Sequence, residues 1–328
     1  MTTVLAGDIG GTNTRLAYFD AENETLTLKI EKHYSSKEAG SLTEIVARFI
    51  EEHGLHTAHA CFAIAGPVRN GQVRAPNLPW TADAADMSTR LAIPNVALIN
   101  DLSANAMGIP ALTEDEFVVL NEGTAEPQGT IALVSAGTGL GQTCGYWDGK
   151  AHRPLPSEGG HADFAPRNEL ESELLLYLRS VYGRVSIERV LSGPGLRNIY
   201  QFLRDVKRMP EVPSVADEMQ HASDPSAVIT RAAMAGESPL CSQVLDMFVS
   251  FYGAEAGNAA LRYLSTGGMY LGGGIAPKIL DRLKGPGFMM AFSNKGRLSP
   301  VLETIPVRVI LNDRTALLGA GRSAVLAM

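Results

Sequence analysis

The chain has 328 residues, 45% of them hydrophobic and 19% charged, with a formal net charge of −7. That length can bury the cores of two domains, and the acidic balance, with no dense Lys/Arg run, excludes a nucleic-acid partner held through its phosphates. No apolar run reaches the roughly 18 residues of a membrane span, and no basic and apolar leader opens the chain, so neither membrane insertion nor export is expected. Cys61, Cys144 and Cys241 are widely separated and form no Cys-x-x-Cys pair, which suits three free thiols in a reducing, cytoplasmic compartment.

Taken in chain order, residues 4–8, 16–20 and 26–33 read as strands. Residues 41–53 carry apolar side chains at helical spacing (Leu42, Ile45, Val46, Phe49), and 60–65 return to an apolar strand. A short helix at 83–91, a strand at 96–100 and a helix from Leu102 complete an α/β alternation, and a domain boundary is placed near residue 112. After a Gly, Glu and Pro-rich loop at 121–129, a new strand covers 130–135. Residues 169–263 are mostly helical in pattern, longest over 239–264, with a polar connection around 209–225. A strand at 269–271, a helix at 277–283, a strand at 307–311 and a helix at 316–326 follow. The last strand and helix are assigned back to the first domain, giving 1–112 plus 304–328 as a small α/β domain and 113–303 as a larger one with helical insertions.

One internal echo organises the chain. Gly7-Asp8-Ile9-Gly10-Gly11-Thr12 and the strand to Asp20 share a layout with Ser135-Ala136-Gly137-Thr138-Gly139-Leu140 and the strand to Asp148: strand, tight Gly/Thr turn, strand, then aromatic-Asp. A duplicated fold explains this; two independent glycine-rich hairpins are the plainer alternative. Turns of this kind can aim backbone N–H groups at one phosphate, because glycine brings no Cβ to obstruct the approach. The chain has neither Gly-x-x-x-x-Gly-Lys-Ser/Thr nor a Gly-x-Gly-x-x-Gly between strand and helix, so any phosphate is held by hairpins.

Polar residues gather at three further points. Asp101 follows Asn100 at the carboxyl end of an apolar strand, where α/β folds bind ligands, and is either a general base or a helix N-cap. Asp8 is either a site carboxylate or a cap for its turn. Glu158 and His161, with Glu188 later, are suited to reading a polyol, since carboxylates accept from paired hydroxyls. No cysteine lies near Glu158 and His161, so a four-ligand zinc site is not expected. Ser192 stands in Ser-Gly-Pro-Gly and not in a nucleophile elbow, so a hydrolase is not indicated.

The motifs 8–12, 136–141, Leu271-Gly272-Gly273-Gly274-Ile275 and Leu318-Gly319-Ala320-Gly321 resemble, in order, the phosphate-1, phosphate-2, adenosine and second connecting motifs of the actin-like sugar kinase superfamily. Within it the chain is similar over its whole length to the bacterial-type glucokinases. The resemblance implies two ribonuclease-H-like α/β domains with a cleft between them, the second enlarged by helices, and a homodimer. It implies ATP and Mg2+ as cofactors, with Gly7, Asp8, Ile9, Gly10, Gly11 and Thr12 as a cofactor-binding segment in which Gly10, Gly11 and Thr12 face the β- and γ-phosphates and Asp8 faces the metal through water. Gly137, Thr138 and Gly139 would lie on the other side of the triphosphate, and Gly273 and Gly274 near adenosine, although a simple strand-to-helix turn also accounts for that third loop.

For the sugar, the resemblance implies Asp101 as the base and Asn100, Asp101, Glu158, His161, Glu188 and Asn77 as ligands. Glucose is the expected substrate, with mannose, glucosamine or an N-acetylated amino sugar as the alternative. Related repressor and open-reading-frame kinases carry a Cys-rich zinc motif after their His; here Ala162-Asp163-Phe164-Ala165-Pro166 stands instead, which points to the zinc-free branch. A sugar-responsive repressor and an actin-like assembly protein are the other classes weighed. Only seven residues precede Asp8, too few for the repressor's helix-turn-helix, and an assembly protein needs no sugar-reading trio.

Overall fold

Alternation along the first strand decides how the first unit is built. In the computed structural model, which describes residues 2–22, 25–74, 78 and 80–327, β1 (Thr2–Ile9) turns into β2 (Asn13–Glu22), followed by β3 (Thr25–Ser35), helix α1 (Leu42–His53) and β4 (His59–Ile64). A small hairpin of β5 (Gln72–Arg74) and β6 (Thr81–Asp83) leads to α2 (Ala84–Leu91), β7 (Asn95–Asn100) and α3 (Asp101–Gly108). Leu5 and Ile9 of β1 pack with Leu42, Ile45, Val46 and Phe49 of α1 on one face of the sheet. Val4 and Ala6 point to the other face, and by the two-residue period so does Asp8.

The remaining elements are β8 (Phe117–Asn121), β9 (Ile131–Ala136), β10 (Leu140–Trp147), β11 (His152–Leu155), α4 (Glu169–Tyr182), α5 (Gly193–Asp205), α6 (Pro213–His221), α7 (Pro225–Met234) and α8 (Pro239–Tyr263). They continue with β12 (Gly268–Gly272), α9 (Leu280–Leu283), α10 (Pro286–Ser293), α11 (Ser299–Thr304), β13 (Val307–Ile310) and α12 (Thr315–Leu326). The chain divides into two compact units, one of Met1–Glu116, Asp148–Pro156 and Asn312–Met328, the other of Phe117–Trp147 and Ser157–Leu311.

The two sheets repeat one plan. In the first unit the order is β3-β2-β1-β4-β7, with β1 antiparallel to β2 and parallel to β4, and β4 parallel to β7. In the second, β10, β9, β12 and β13 are neighbours in that order, with β9 antiparallel to β10 and parallel to β12, and β12 parallel to β13. The echoed segments 7–20 and 135–148 therefore fall on equivalent hairpins, with the same parallel strand laid beside each. Independent hairpins would not share those neighbours.

Four sequence expectations change. The strand expected at 307–311 belongs to the second unit: β13 pairs with β12 and with β8, a strand before the 121–129 loop that the local pattern does not reveal. Only α12 returns to the first unit, so the division lies at 116 and 312, with Asp148–Pro156 as an excursion, in place of 112 and 304. The polar connection at 209–225 contains α6, which Pro213 opens at a position where a missing N–H costs nothing. Val215 of α6 is buried, Glu211 accepts from the Tyr200 hydroxyl at 2.7 Å, and Glu218 pairs with Arg231 of α7 at 2.6 Å, so one buried apolar contact and polar bonds dock an otherwise polar helix. Finally, the helix expected at 277–283 is a 3-10 turn over Ala276–Ile279 followed by the short α9.

Glycine brings α12 against α3. A Cβ at Gly319 would lie 1.7 Å from the Ala104 carbonyl oxygen, and one at Gly108 would lie 2.0 Å from that of Thr315, so the two backbones touch at both crossings. Because the obstructing atoms are backbone, no rotamer change relieves them. Gly319→Ala is expected to cost about 1–3 kcal/mol by overpacking. Thermal and denaturant melts read the loss directly, with Gly137→Ala as the control because a Cβ there meets nothing within 4 Å. Equal melting of both variants would show that the helices separate freely.

Candidate functional site

The first unit carries the candidate base at the start of α3. Asn100 is the N-cap: its Oδ1 accepts from the N–H groups of Leu102 (3.0 Å) and Ser103 (3.2 Å). Its Nδ2 donates to the Gly66 carbonyl (3.2 Å) and to Asp101 Oδ1 (2.9 Å), which also accepts from Leu102 N (2.9 Å). Asp101 is thus the first helical residue, and the cap position itself is taken by Asn100. Burial raises its carboxyl pKa above the ordinary value, against the lowering effect of these bonds. The Asn100 amide has both donors and both acceptor positions engaged inside the unit, so a contact from it to a sugar requires exchanging one of those bonds.

Asp8 ends up on the same side of the sheet. Its partner across the β1–β2 ladder is Arg15, which donates to Asp313 Oδ2 at 2.9 Å and lies 3.6 Å from Glu31. Burial pushes the Asp8 carboxyl up to about 6; Arg15 opposes this, while Asp101 and Asp313 add to it. Among the described residues the Asp8 side chain accepts no hydrogen bond, so it does not cap its turn. That turn is braced from β3's end, where Ser36 Oγ donates to the Gly10 carbonyl at 2.8 Å and Ser36 N to the Thr12 carbonyl at 2.8 Å.

The predicted turn residues separate into three kinds. Gly7 and Ile9 serve packing: Ile9 is in the core, and a Cβ at Gly7 would lie 2.6 Å from the Phe62 ring. Gly10 donates its N–H to the Asn13 carbonyl at 2.9 Å, and Gly137 donates to Gly139 O at 2.9 Å, so the first glycine of each turn closes the turn itself. The N–H groups of Gly11, Thr12, Thr138 and Gly139 donate to no described residue. Each of the two equivalent turns therefore has two donors open to an anion.

In the second unit the predicted residues collect around β9 and β10. Glu188 Oε2 accepts from Leu140 N at 2.9 Å. The turn Glu158–His161 is joined to the Glu188 turn by Ile187 N donating to Ala162 O at 2.8 Å, and Arg184 donates to His161 O (2.7 Å) and pairs with Asp163 (2.7 Å). Glu158 and His161 are exposed. Gly273 takes φ +83° and sits against β9, where a Cβ would lie 2.3 Å from the Ala136 carbonyl oxygen; Ile275 N donates to that same carbonyl. The third glycine loop is therefore a required close approach and more than a strand-to-helix turn. Asn77 lies outside the described residues.

Beside these loops is a cleft of about 880 Å³ whose lining includes Gly137, Thr138, Gly193, Met234, Ala235 and Ile275. Sequence reasoning reaches the glycines but misses the α5 and α7 residues that form the walls. The Pro at the first turn of each helix is the available signal. Among the described residues no three His, Cys, Asp or Glu side chains gather to hold a metal by themselves, and no helix is long and apolar enough to cross a membrane. All three cysteines are free and buried.

The family model for glucokinase matches residues 5–327. A curated glucokinase from a Nostoc species is 44% identical, the match covering 99% of each chain, and one from a Synechocystis species is 42% identical over 96% of each. Among solved structures, a glucokinase from an Antarctic psychrotroph superposes with a TM-score of 0.88 at 31% identity, covering 99% of both chains. The fold alone is shared with a ROK family glucokinase from Streptomyces griseus in complex with glucose and AMPPNP, at a TM-score of 0.66 and 18% identity over 98% of this chain and 99% of that one.

Proposed function

The chain belongs to the glucokinase family, and on that premise we propose that it phosphorylates glucose with ATP, that Asp101 is the general base and that Asp8 faces Mg2+ through water. The single observation carrying this reading is the Asn100–Asp101 corner. A carboxylate there is held by two bonds to Oδ1, and burial has raised its proton affinity, leaving Oδ2 for the sugar's 6-hydroxyl. Phosphoryl transfer passes through a loose transition state, so the base is needed late and alignment carries most of the rate. Asn100 contributes chiefly by aiming Asp101.

Glu158, His161 and Glu188 are assigned to the sugar hydroxyls, and the open N–H groups of Gly11, Thr12, Thr138 and Gly139 to phosphate oxygens. The 880 Å³ cleft of the second unit is given to adenosine, with Leu196, Met234 and Ile275 among its lining residues as apolar surface for the base. Magnesium carried on phosphates keeps most of its waters and needs only one or two protein carboxylates, and a carboxyl burdened by burial and by two neighbouring acids suits it. When bound, the ion would supply positive charge to the phosphate oxygens. The repeated sheet order supports two ribonuclease-H-like domains of the actin-like superfamily. Three buried thiols agree with a cytoplasmic place, and a homodimer is carried over from the family, to be read by sedimentation.

A coupled spectrophotometric assay with Mg-ATP tests the reading on glucose, mannose, fructose, glucosamine and N-acetylglucosamine. Strong preference for glucose is expected. Activity on none of them, with ATP still bound, would leave the fold standing and sink the reaction.

A further inference from the structure

The three residues of the second unit assigned to the sugar are indexed to one strand, β10. Glu188 meets it at Leu140 N. The Glu158–His161 turn lies flat on it, since a Cβ at Gly160 would be 1.9 Å from the Leu140 carbonyl oxygen and one at Gly159 would be 2.7 Å from Gln142 Oε1. The Gln142 side chain therefore packs against Gly159, which adjoins Glu158 in the chain.

Gln142 is itself a buried polar side chain with 0% exposure. Its Nε2 donates to Glu255 Oε1 at 2.8 Å, and its Oε1 accepts from Arg262 NH1 at 3.0 Å. Arg262 NH2 closes the ring on the same Glu255 oxygen at 2.7 Å. Asn258 donates to the other Glu255 oxygen at 2.9 Å, and Lys295 Nζ donates to Asn258 Oδ1 at 2.7 Å and to the Ala254 carbonyl at 3.0 Å. An amide between a carboxylate and a guanidinium has one orientation that satisfies both, so this ring cannot rotate without stranding a buried group. Gln142 and Glu255 are buried, whereas the Arg262 side chain that closes the ring is 42% exposed, so the ring sits at the edge of the core with its amide on the inside.

We propose that Gln142, clamped by Glu255 and Arg262 of α8, is a positioning residue for glucose: it is the rigid floor that sets the height of the Glu158–His161 turn. The inference rests on the assignment of Glu158 and His161 to the sugar and adds the residue that fixes where they stand. Gln142 touches no substrate. Its loss lets the turn settle, which weakens the grip on the sugar while the nucleotide loops and Asp101 are untouched.

The test uses the full chain, with steady-state kinetics in both substrates and thermal melts. Gln142→Met keeps the length of the side chain and leaves Glu255 paired with Arg262; Gly159→Ala keeps the clamp and lifts the turn. For both, KM for glucose is expected to rise roughly tenfold, the scale seen when an outer-shell partner is lost, with KM for ATP and kcat little changed. Because the two variants disturb opposite sides of one contact, a folding defect in one does not silence the other. Unchanged glucose KM in both, while Glu158→Gln raises it, would overturn the role of Gln142 and keep the sugar assignment. Unchanged glucose KM in Glu158→Gln and His161→Ala as well would overturn the assignment on which it rests.

Discussion

Asp101→Asn is expected to lower kcat by about 10²–10⁴-fold, the usual contribution of a positioned general base, while glucose still binds with near-normal affinity. The two measurements are the coupled assay for turnover and calorimetry for binding. The separation follows from the geometry: Asn at 101 can still accept at Oδ1 from Leu102 N and from the Asn100 amide, so the start of α3 survives and only the proton acceptor is removed. Near-normal turnover would take Asp101 out of the mechanism. A matched loss of glucose binding would make it a sugar ligand first and a base second. Because burial raises its pKa, turnover of the native enzyme should decline on the acid side at a higher pH than an ordinary exposed aspartate would allow.

Asp8→Asn is expected to move stability and activity in opposite directions. Asp8 titrates at about 6 in the folded chain against 3.8 for an ordinary aspartate, so the folded state holds its proton more tightly than the unfolded state does. Between these two values the unfolded chain is deprotonated first, and stability therefore falls as pH rises through the window, remaining lower above it. The cost of the buried charge at neutral pH is on the order of 1–3 kcal/mol, since each tenfold change in proton affinity is worth at most about 1.4 kcal/mol. Asparagine carries no charge, so the nucleotide-free variant should melt higher than the native protein at about pH 8, with the gain shrinking as pH falls toward about 4. Turnover should fall by at least roughly 10², as expected on removing a charged group that serves the phosphates. A variant that is destabilised at high pH would mean that Arg15 compensates Asp8 fully; a variant that keeps its activity would remove Asp8 from the site.

Much of this protein is legible from short stretches of chain. The Gly/Thr turns after β1 and β9, the apolar spacing of Leu42, Ile45, Val46 and Phe49, and the strand ending at Asn100 each depend on neighbours a few residues away. The duplicated sheet follows from comparing two such stretches, because a hairpin's strands and turn are encoded locally. What the local pattern misassigns is partner choice. Strand β13 follows a helix and precedes one, and nothing in residues 307–311 says whether it pairs with β12 or with the first sheet; the pairing is set by packing of the whole second unit. Helix α6 reads as a connection because its one buried apolar side chain, Val215, is too little pattern to see.

In the site the division is similar. Residue type and strand-end position make Asp8, Asn100 and Asp101 candidates and residue type alone suggests Glu158, His161 and Glu188, while the family resemblance supplies the role given to each. Which of them have groups left to offer a ligand is not legible there. The engaged amide of Asn100, the closed N–H of Gly10 and Gly137, the raised proton affinity of Asp8 and the Gln142–Glu255–Arg262 clamp all depend on how the chain folds around each group. Hydrogen-bond satisfaction and desolvation are properties of what surrounds a group, and only the folded chain supplies those surroundings.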